Sequence, residues 1–485
     1  MTDAPAPPTA VSAPPTLPSL PDAPAAVVAG PAATESTESF PAEITPRIAP
    51  TAARVARVPA HETDSARDAP PVAPRSTRAD ASRARLTPRP SVIPLATAGT
   101  TPERPQLTRT LPNLPPDTLA LETRLPPVAR PRPNPYPQRA PEKRQALVQE
   151  MGGSVATERA VSLALDWLAR HQSADGRWHS YDFDDECGGC AGAARADVDI
   201  ALTGLSVLCF LAANHLPDAP GPYRDVVAKG LDWLRRQQGD DGNLVADESM
   251  YSHGIATIAL AEAYGMTGDQ TLEEPVRQAA RFIVESANQS VGGWRYAPRQ
   301  PGDSSVLGWQ IMALKSARRC RLDVDETGFD VAREWLPRVQ SRSRPGLYAY
   351  QPNRTVTPAM TAEMMFVRQL LGGRPSEPAM VNSARYLLRH VPDWEHDTNT
   401  YFWYYGTLAL YQHQGEAWER WNEIIKDELL AHQETRGPAA GSWPIEGDRW
   451  ARTGGRVYQT AICTLTLEVY YRYLPLYLDE TPPGP

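Results

Sequence analysis

Residues 164–178 read ALDWLARHQSADGRW and residues 230–244 read GLDWLRRQQGDDGNL. The two stretches agree in order and in chemistry: an apolar stripe set among charges, then glutamine, then a turn built on glycine. Each is followed by an apolar run, ADVDIALTGLSVLCFLAANH at 196–215 and YSHGIATIALAEAYGMTGD at 251–269. An internal repeat of this kind outweighs any single motif, because it says that the fold is one supersecondary unit copied.

Four further copies are in phase. ARFIVESANQSVGGWRY (280–296) leads into DSSVLGWQIMALKSA (303–317), and AREWLPRVQSRSRPGLYAY (332–350) into TPAMTAEMMFVRQLLGG (357–373). SARYLLRHVPDW (383–394) leads into NTYFWYYGTLALYQHQG (399–415), and WNEIIKDELLAHQETRGPAAGSW (421–443) into GGRVYQTAICTLTLEVYYRY (454–473). The period of roughly fifty residues suits a pair of helices. The first helix of each copy mixes charge with one apolar stripe, so it belongs outside; the second is apolar almost all round, so it belongs inside. A glycine turn carrying an aromatic residue (Trp178, Trp294, Tyr348, Trp443) separates them. Six such pairs predict an all-α fold, a single (α/α)6 toroid over residues 150–480. An open solenoid is the alternative, and six copies with an aromatic-rich last one favour closure.

The segment before the repeats is of another kind. Roughly thirty of the fifty prolines precede residue 150, mixed with Ala, Thr, Ser and Arg, while all twelve Trp follow it. Residues 1–144 are therefore expected to be a disordered Pro-rich tail, extended in places such as PPVARPRPNPYPQRAP (126–141), acting as a spacer, a tether for a protein partner or a weak basic contact. Of the net charge of −8, the tail carries about +4 and the remainder about −12. The acidic repeat region disfavours nucleic-acid binding. No secretory leader pattern and no long apolar span is evident, and five scattered cysteines suit a reducing compartment, so a cytoplasmic, soluble protein is the default expectation. Phosphate-loop, G-x-S-x-G and HExxH patterns are absent.

The Q-x(3)-G-x-W pattern in QSADGRW, with looser forms in NQSVGGWRY, ETRGPAAGSW and QQGDDGNL, resembles the repeats of squalene and hopene cyclases and of protein prenyltransferase β-subunits. The stretches YSHGIATIALAEAYGMTGD, GGWRYAPRQPGDSSVLGWQIMALKSA and GGRVYQTAICTLTLEVYYRYLPLY are most similar to bacterial proteins with prenyltransferase/squalene-oxidase repeats, many from planctomycetes. The resemblance covers about residues 155–478. It implies a central cavity for a hydrophobic or isoprenoid-like ligand, and a divergent cyclase or prenyltransferase if the chain is an enzyme. A non-catalytic scaffold tethered by the tail is the rival expectation.

In such a toroid the inner-helix starts converge at one end, which makes Asp199, His253 and Asp303 the candidate catalytic residues. Tyr251, Trp309, Trp403, Tyr404, Arg456 and Tyr458 are the candidate ligand contacts, aromatic faces and a cation suiting an apolar, cationic or diphosphate-bearing molecule. Helix capping alone would also place Asp197 and Asp303 at these starts. Prenyltransferases hold zinc with an Asp-x-Cys pair and a His from the next repeat; the corresponding positions are Asp197-x-Asp199 and His253, the Cys being replaced by Asp. Cys187 and Cys190, a C-x-x-C pair, would restore sulfur to a zinc site with Asp199 and His253, His179 and Asp185 being further donors. Cyclases protonate an alkene from an Asp-x-Asp-Asp-Thr motif, of which Asp197-Val198-Asp199-Ile200-Ala201 keeps the acid position but not the following Asp. The thioester chemistry of the related α2-macroglobulin domain is excluded, since GGCAGA lacks its Glu and Gln.

Overall fold

The computed structural model describes residues 134–476, apart from 186, 187 and 247. The six repeats are helix pairs. The outer helices are α2 (Val155–Arg170), α4 (Arg224–Gln237), α6 (Glu273–Glu285), α8 (Thr327–Val339), α10 (Pro378–Leu387) and α12 (Gly415–His432). The inner helices are α3 (Asp199–Ala212), α5 (Met250–Thr267), α7 (Ser304–Arg319), α9 (Pro358–Leu370), α11 (Thr400–His413) and α13 (Ala451–Leu467). Each inner helix packs on the next, and α13 packs back on α3, so the ring is closed. α3 is buried along its whole length, whereas α4 buries only Val227, Gly230, Leu231, Trp233 and Leu234, as its single apolar stripe requires.

The repeated Gln and Trp are the joints of this ring. The indole N–H groups of Trp178, Trp294 and Trp443 donate to Leu168 O, Ile283 O and Leu429 O at 2.7–2.8 Å, supplying partners for carbonyls near the ends of their own outer helices. Gln172 donates to its own turn at Gly176 O and to Val226 O of α4, the next outer helix (both 2.9 Å). Gln238 does the same to Gly242 O and Pro275 O, and Gln433 to Gly441 O and Ala160 O. The last of these reaches from the sixth repeat to α2 and closes the outer layer. Gly441 has φ +101°, and a Cβ there would collide with the Leu163 carbonyl of α2, so the closure requires glycine.

The inner-helix starts are capped partly in trans. Asp303 caps α7 in the local manner, accepting from Val306 N at 2.9 Å. Asp197 does not cap α3: the helix begins at Asp199 after Val198, and Glu248 of the second repeat accepts from Ile200 N at 2.7 Å instead. Asp448 likewise accepts from Thr400 N of α11 at 2.8 Å. The opposite mouth is closed by both ends of the described chain. Pro137–Arg139 form a 3-10 turn, followed by α1 (Pro141–Glu150), while α14 (Val469–Arg472) follows α13 directly.

The expectation of a disordered tail through residue 144 is therefore corrected from residue 134 onward; residues 1–133 lie outside the described residues. Tyr136 is 1 % exposed, and Arg139 is fully buried, 2.7 Å from Glu262 Oε2. Arg472 stands 3.7 Å from the other Glu262 oxygen. The physical reason is charge: a carboxylate on an inner helix needs a cation, and the proline-rich segment supplies one.

Candidate functional site

The lumen of the ring is filled by side chains that cross it. Trp309 of α7 stacks on Tyr404 of α11 at 5.8 Å and 11°, with Tyr405 edge-on at the same distance. All three are buried. Tyr404 in turn accepts from Arg472 Nη1 at 2.9 Å. The polar groups that remain reachable lie at the mouth formed by the inner-helix starts.

There the structure assembles a connected set around Asp303 and Glu363. Ser305 Oγ donates to Asp303 Oδ1 at 2.9 Å, and the Tyr350 hydroxyl donates to Oδ2 at 2.9 Å. Tyr251 OH lies 2.5 Å from Ser305 Oγ, and Tyr296 OH lies 3.0 Å from Tyr350 OH. Arg295 Nε is 3.7 Å from Asp303 Oδ2. Tyr401 OH stands 2.9 Å from Glu363 Oε2 and 3.2 Å from Ser305 O, linking the two acids. Both acids are fully buried, while Tyr251, Tyr296, Tyr350 and Tyr401 are half-buried. The result is a floor of carboxyls under a rim of phenols.

The two carboxyls are differently held. Burial pushes Glu363 well above the usual carboxylate range, and the charge of Asp303 adds to this against the opposing bond from Tyr401. Burial also raises Asp303, but Val306 N, Tyr350, Ser305 and Arg295 all oppose it. Burial thus disfavours the charge of both acids, with more groups supporting the anion of Asp303 than that of Glu363.

The other expected residues go elsewhere. His253 is fully buried between layers: its Nδ1 accepts from Leu244 N at 3.0 Å and its Nε2 faces Ala279 O at 3.1 Å. Thr203, Thr361 and Thr460 make the same bond to the turn of their repeats, from Trp178 N, Tyr348 N and Trp443 N. His253 is thus the second repeat's version of a structural threonine, with both ring nitrogens used. Asp199 is held by Ser180 N and Oγ (2.7 and 2.6 Å) and by Arg177 (3.0 Å), and does not share a partner with His253. Trp403 packs outward on Trp394 at 5.6 Å. Arg456 is spent on Ala191 O, Ser442 Oγ and Trp443 O. Tyr458 is half-buried at the mouth.

Among the described residues no three His, Cys, Asp or Glu side chains converge for a metal ion. Cys187 lies outside the described residues. Glu363, Tyr296 and Tyr350 were not expected from the sequence. Their signals are a charged residue in the apolar run TPAMTAEMM and a second aromatic two residues beyond the turn aromatic, in GWRY and LYAY.

No family model matches the sequence, and no curated protein matches it. Solved structures do match in fold. The cellobiose 2-epimerase of Spirochaeta thermophila is 13 % identical, with a TM-score of 0.51 over 68 % of this chain and 98 % of that one. The cellobiose 2-epimerase of Bacillus thermoamylovorans is 11 % identical, with a TM-score of 0.50 over 67 % and 99 %. A type II terpene cyclase from Scytonema is 12 % identical, with a TM-score of 0.42 over 65 % and 97 %. The chain shares the α/α toroid fold with the two cellobiose 2-epimerases, and no described helix is long and apolar enough to cross a membrane.

Proposed function

We propose that this chain binds a small, mainly apolar, isoprenoid-like molecule at the tyrosine-rimmed mouth and supplies it a proton from Glu363. The observation that supports this is the fully buried Glu363 carboxyl, whose burial raises its pKa, joined through Tyr401 to the Asp303 cluster beneath half-buried phenol rings. Phenol faces would hold the apolar body and any developing positive charge. The Asp303 group, fed by Tyr350 and Ser305, would take the returning proton. Because Trp309, Tyr404 and Tyr405 fill the lumen, the ligand lies at the mouth and not through the ring. That same filling favours a second reading, a scaffold that presents the toroid surface to a protein partner.

The test is titration of the full-length chain with farnesol, followed by intrinsic fluorescence and thermal shift. A saturable response that Tyr251→Phe/Tyr401→Phe weakens at least tenfold is the expected result. No response up to the solubility of farnesol would leave the scaffold reading.

A further inference from the structure

The geometry points to a cationic head on the ligand of the tyrosine-rimmed mouth: a protonated amine carried on an apolar chain, which takes the place that the Arg295 guanidinium holds against Asp303. This assignment rests on the mouth being a ligand site and adds the charge of what enters it. Arg295 follows the turn tryptophan, and Trp294 pairs with Asp303 across the turn, Asp303 N donating to Trp294 O at 2.8 Å. The backbone thus sets the arginine beside the carboxylate. Yet the contact is loose. Arg295 Nε stands 3.7 Å from Asp303 Oδ2, longer than a hydrogen bond, and the guanidinium carbon lies 5.3 Å from the centre of the Tyr296 ring.

Asp303 is built to receive a charge from the mouth. Val306 N and Ser305 Oγ donate to its Oδ1 and the Tyr350 hydroxyl to its Oδ2, each at 2.9 Å, the pattern that favours an anion. Because Tyr350 donates to Asp303, the 3.0 Å bond between the two phenols runs from Tyr296 to Tyr350. Those hydroxyls are committed inward, and the adjoining rings of Tyr251 and Tyr296, 6.1 Å apart at 32°, are what an apolar chain meets. Aromatic faces beside a carboxylate attract organic cations.

Arg295 shows which charge the position accepts. Asp303 is 0 % exposed, whereas the arginine side chain keeps 31 % of its surface in solvent, so the guanidinium covers the acid from the outer side and can leave it. An ammonium is smaller than a guanidinium and would close to about 2.8 Å of Oδ2, converting a loose ion pair into a charge-assisted hydrogen bond.

The surroundings disfavour an anionic head. The sequence of the turns and inner-helix starts, 177–200, 245–252, 294–305, 348–363, 394–403 and 445–458, contains no lysine, and its acids outnumber its arginines. Two of those arginines are occupied: Arg177 pairs with Asp175 and Asp199, and Arg456 is held by Ala191 O, Ser442 Oγ and Trp443 O. A mouth of this sign draws in cations and repels a diphosphate.

The test is titration of the full-length chain with three molecules that share one chain, farnesylamine, farnesol and farnesyl diphosphate, followed by intrinsic fluorescence at pH 7. Farnesylamine is expected to saturate at a concentration at least tenfold below that of farnesol, and the diphosphate to bind more weakly than the alcohol. Asp303→Asn, in which asparagine still caps α7, should abolish the advantage of the amine. Arg295→Gln should tighten the amine at least threefold and leave farnesol within twofold, whereas an arginine that only held the turn would alter both alike. Farnesylamine no tighter than farnesol, or unchanged or weakened by Arg295→Gln, overturns the inference, while a saturable farnesol response keeps the mouth as a ligand site. No response to either molecule overturns both.

Discussion

The Tyr401 hydroxyl stands 2.9 Å from Glu363 Oε2 and 3.2 Å from the Ser305 carbonyl oxygen, so one phenol joins α11 to α9 and to α7 across the mouth of the ring. The site is therefore built by three repeats at once. Its acid has space only because α7 carries Gly308 where the Glu363 side chain passes: a Cβ at that position would collide with Oε1.

Gly308→Ala is accordingly expected to destabilise by about 1–3 kcal/mol through overpacking. In a Glu363→Ala background, where the colliding oxygen is gone, the same substitution should cost markedly less. Urea denaturation of the four proteins in this cycle measures the coupling. Equal costs in both backgrounds would show that Gly308 serves the helix crossing and not Glu363.

The pH dependence of stability follows from Glu248 and Glu363. Burial pushes Glu248 up to about 8, against the two backbone N–H groups of α3 that favour its anion. A carboxyl raised in the folded state binds its proton more tightly folded than unfolded. Its destabilising effect is thus absent below its ordinary value near 4.5 and complete by about pH 8. Melting temperature is expected to decline across that window, and Glu248→Gln, which retains an acceptor for Ile200 N, should flatten the decline by a few degrees. A slope unchanged by Glu248→Gln would assign it to Glu363 or to other groups.

What was legible in the sequence was what repeats. The Gln and Trp of the turns, the apolar inner runs and the Asp303 cap are local patterns, each determined by the residues beside it. What was not legible is what one repeat does for another. Glu248 sits in a loop and looks solvated, yet it caps α3; Asp448 does the same for α11. His253 falls where a ligand would be sought, and only comparison with Thr203, Thr361 and Thr460 shows that it replaces a hydroxyl. Arg139 is hidden among prolines that composition alone reads as a tail, and its value comes from Glu262 far along the chain.

Arg139→Ala leaves Glu262 with Arg472, at 3.7 Å, and the Tyr473 hydroxyl, at 3.4 Å, inside a fully buried setting. Removing one partner of a buried pair costs roughly 3–5 kcal/mol when nothing replaces it, so the loss here should lie toward the lower end. Arg139→Met/Glu262→Leu removes both charges and is expected to recover part of that loss. Chemical denaturation decides, and a double variant less stable than Arg139→Ala would mean that the ion pair contributes more than its desolvation costs.

The ring closure itself is testable at Gln433. Its amide donates to Gly441 O at 2.9 Å and to Ala160 O at 2.8 Å, and it is the joint of this kind that links the last repeat to the first. Gln433→Leu keeps the volume but leaves Gly441 O without its donor, a cost of about 1–3 kcal/mol, and removes the second bond to Ala160 O, which lies within α2. Gln238→Leu removes the equivalent joint between α4 and α6, inside the array, where Gly242 O and Pro275 O lose the same donor. Local cost should be similar in the two variants, but only the Gln433 variant weakens the junction whose two sides are far apart in sequence. Hydrogen exchange is therefore expected to rise in α2 and α12 of Gln433→Leu beyond what global stability explains, while Gln238→Leu opens α4 and α6 no more than its loss of stability predicts. Uniform exchange in both variants would show that the inner contact of α3 with α13 holds the ring closed by itself.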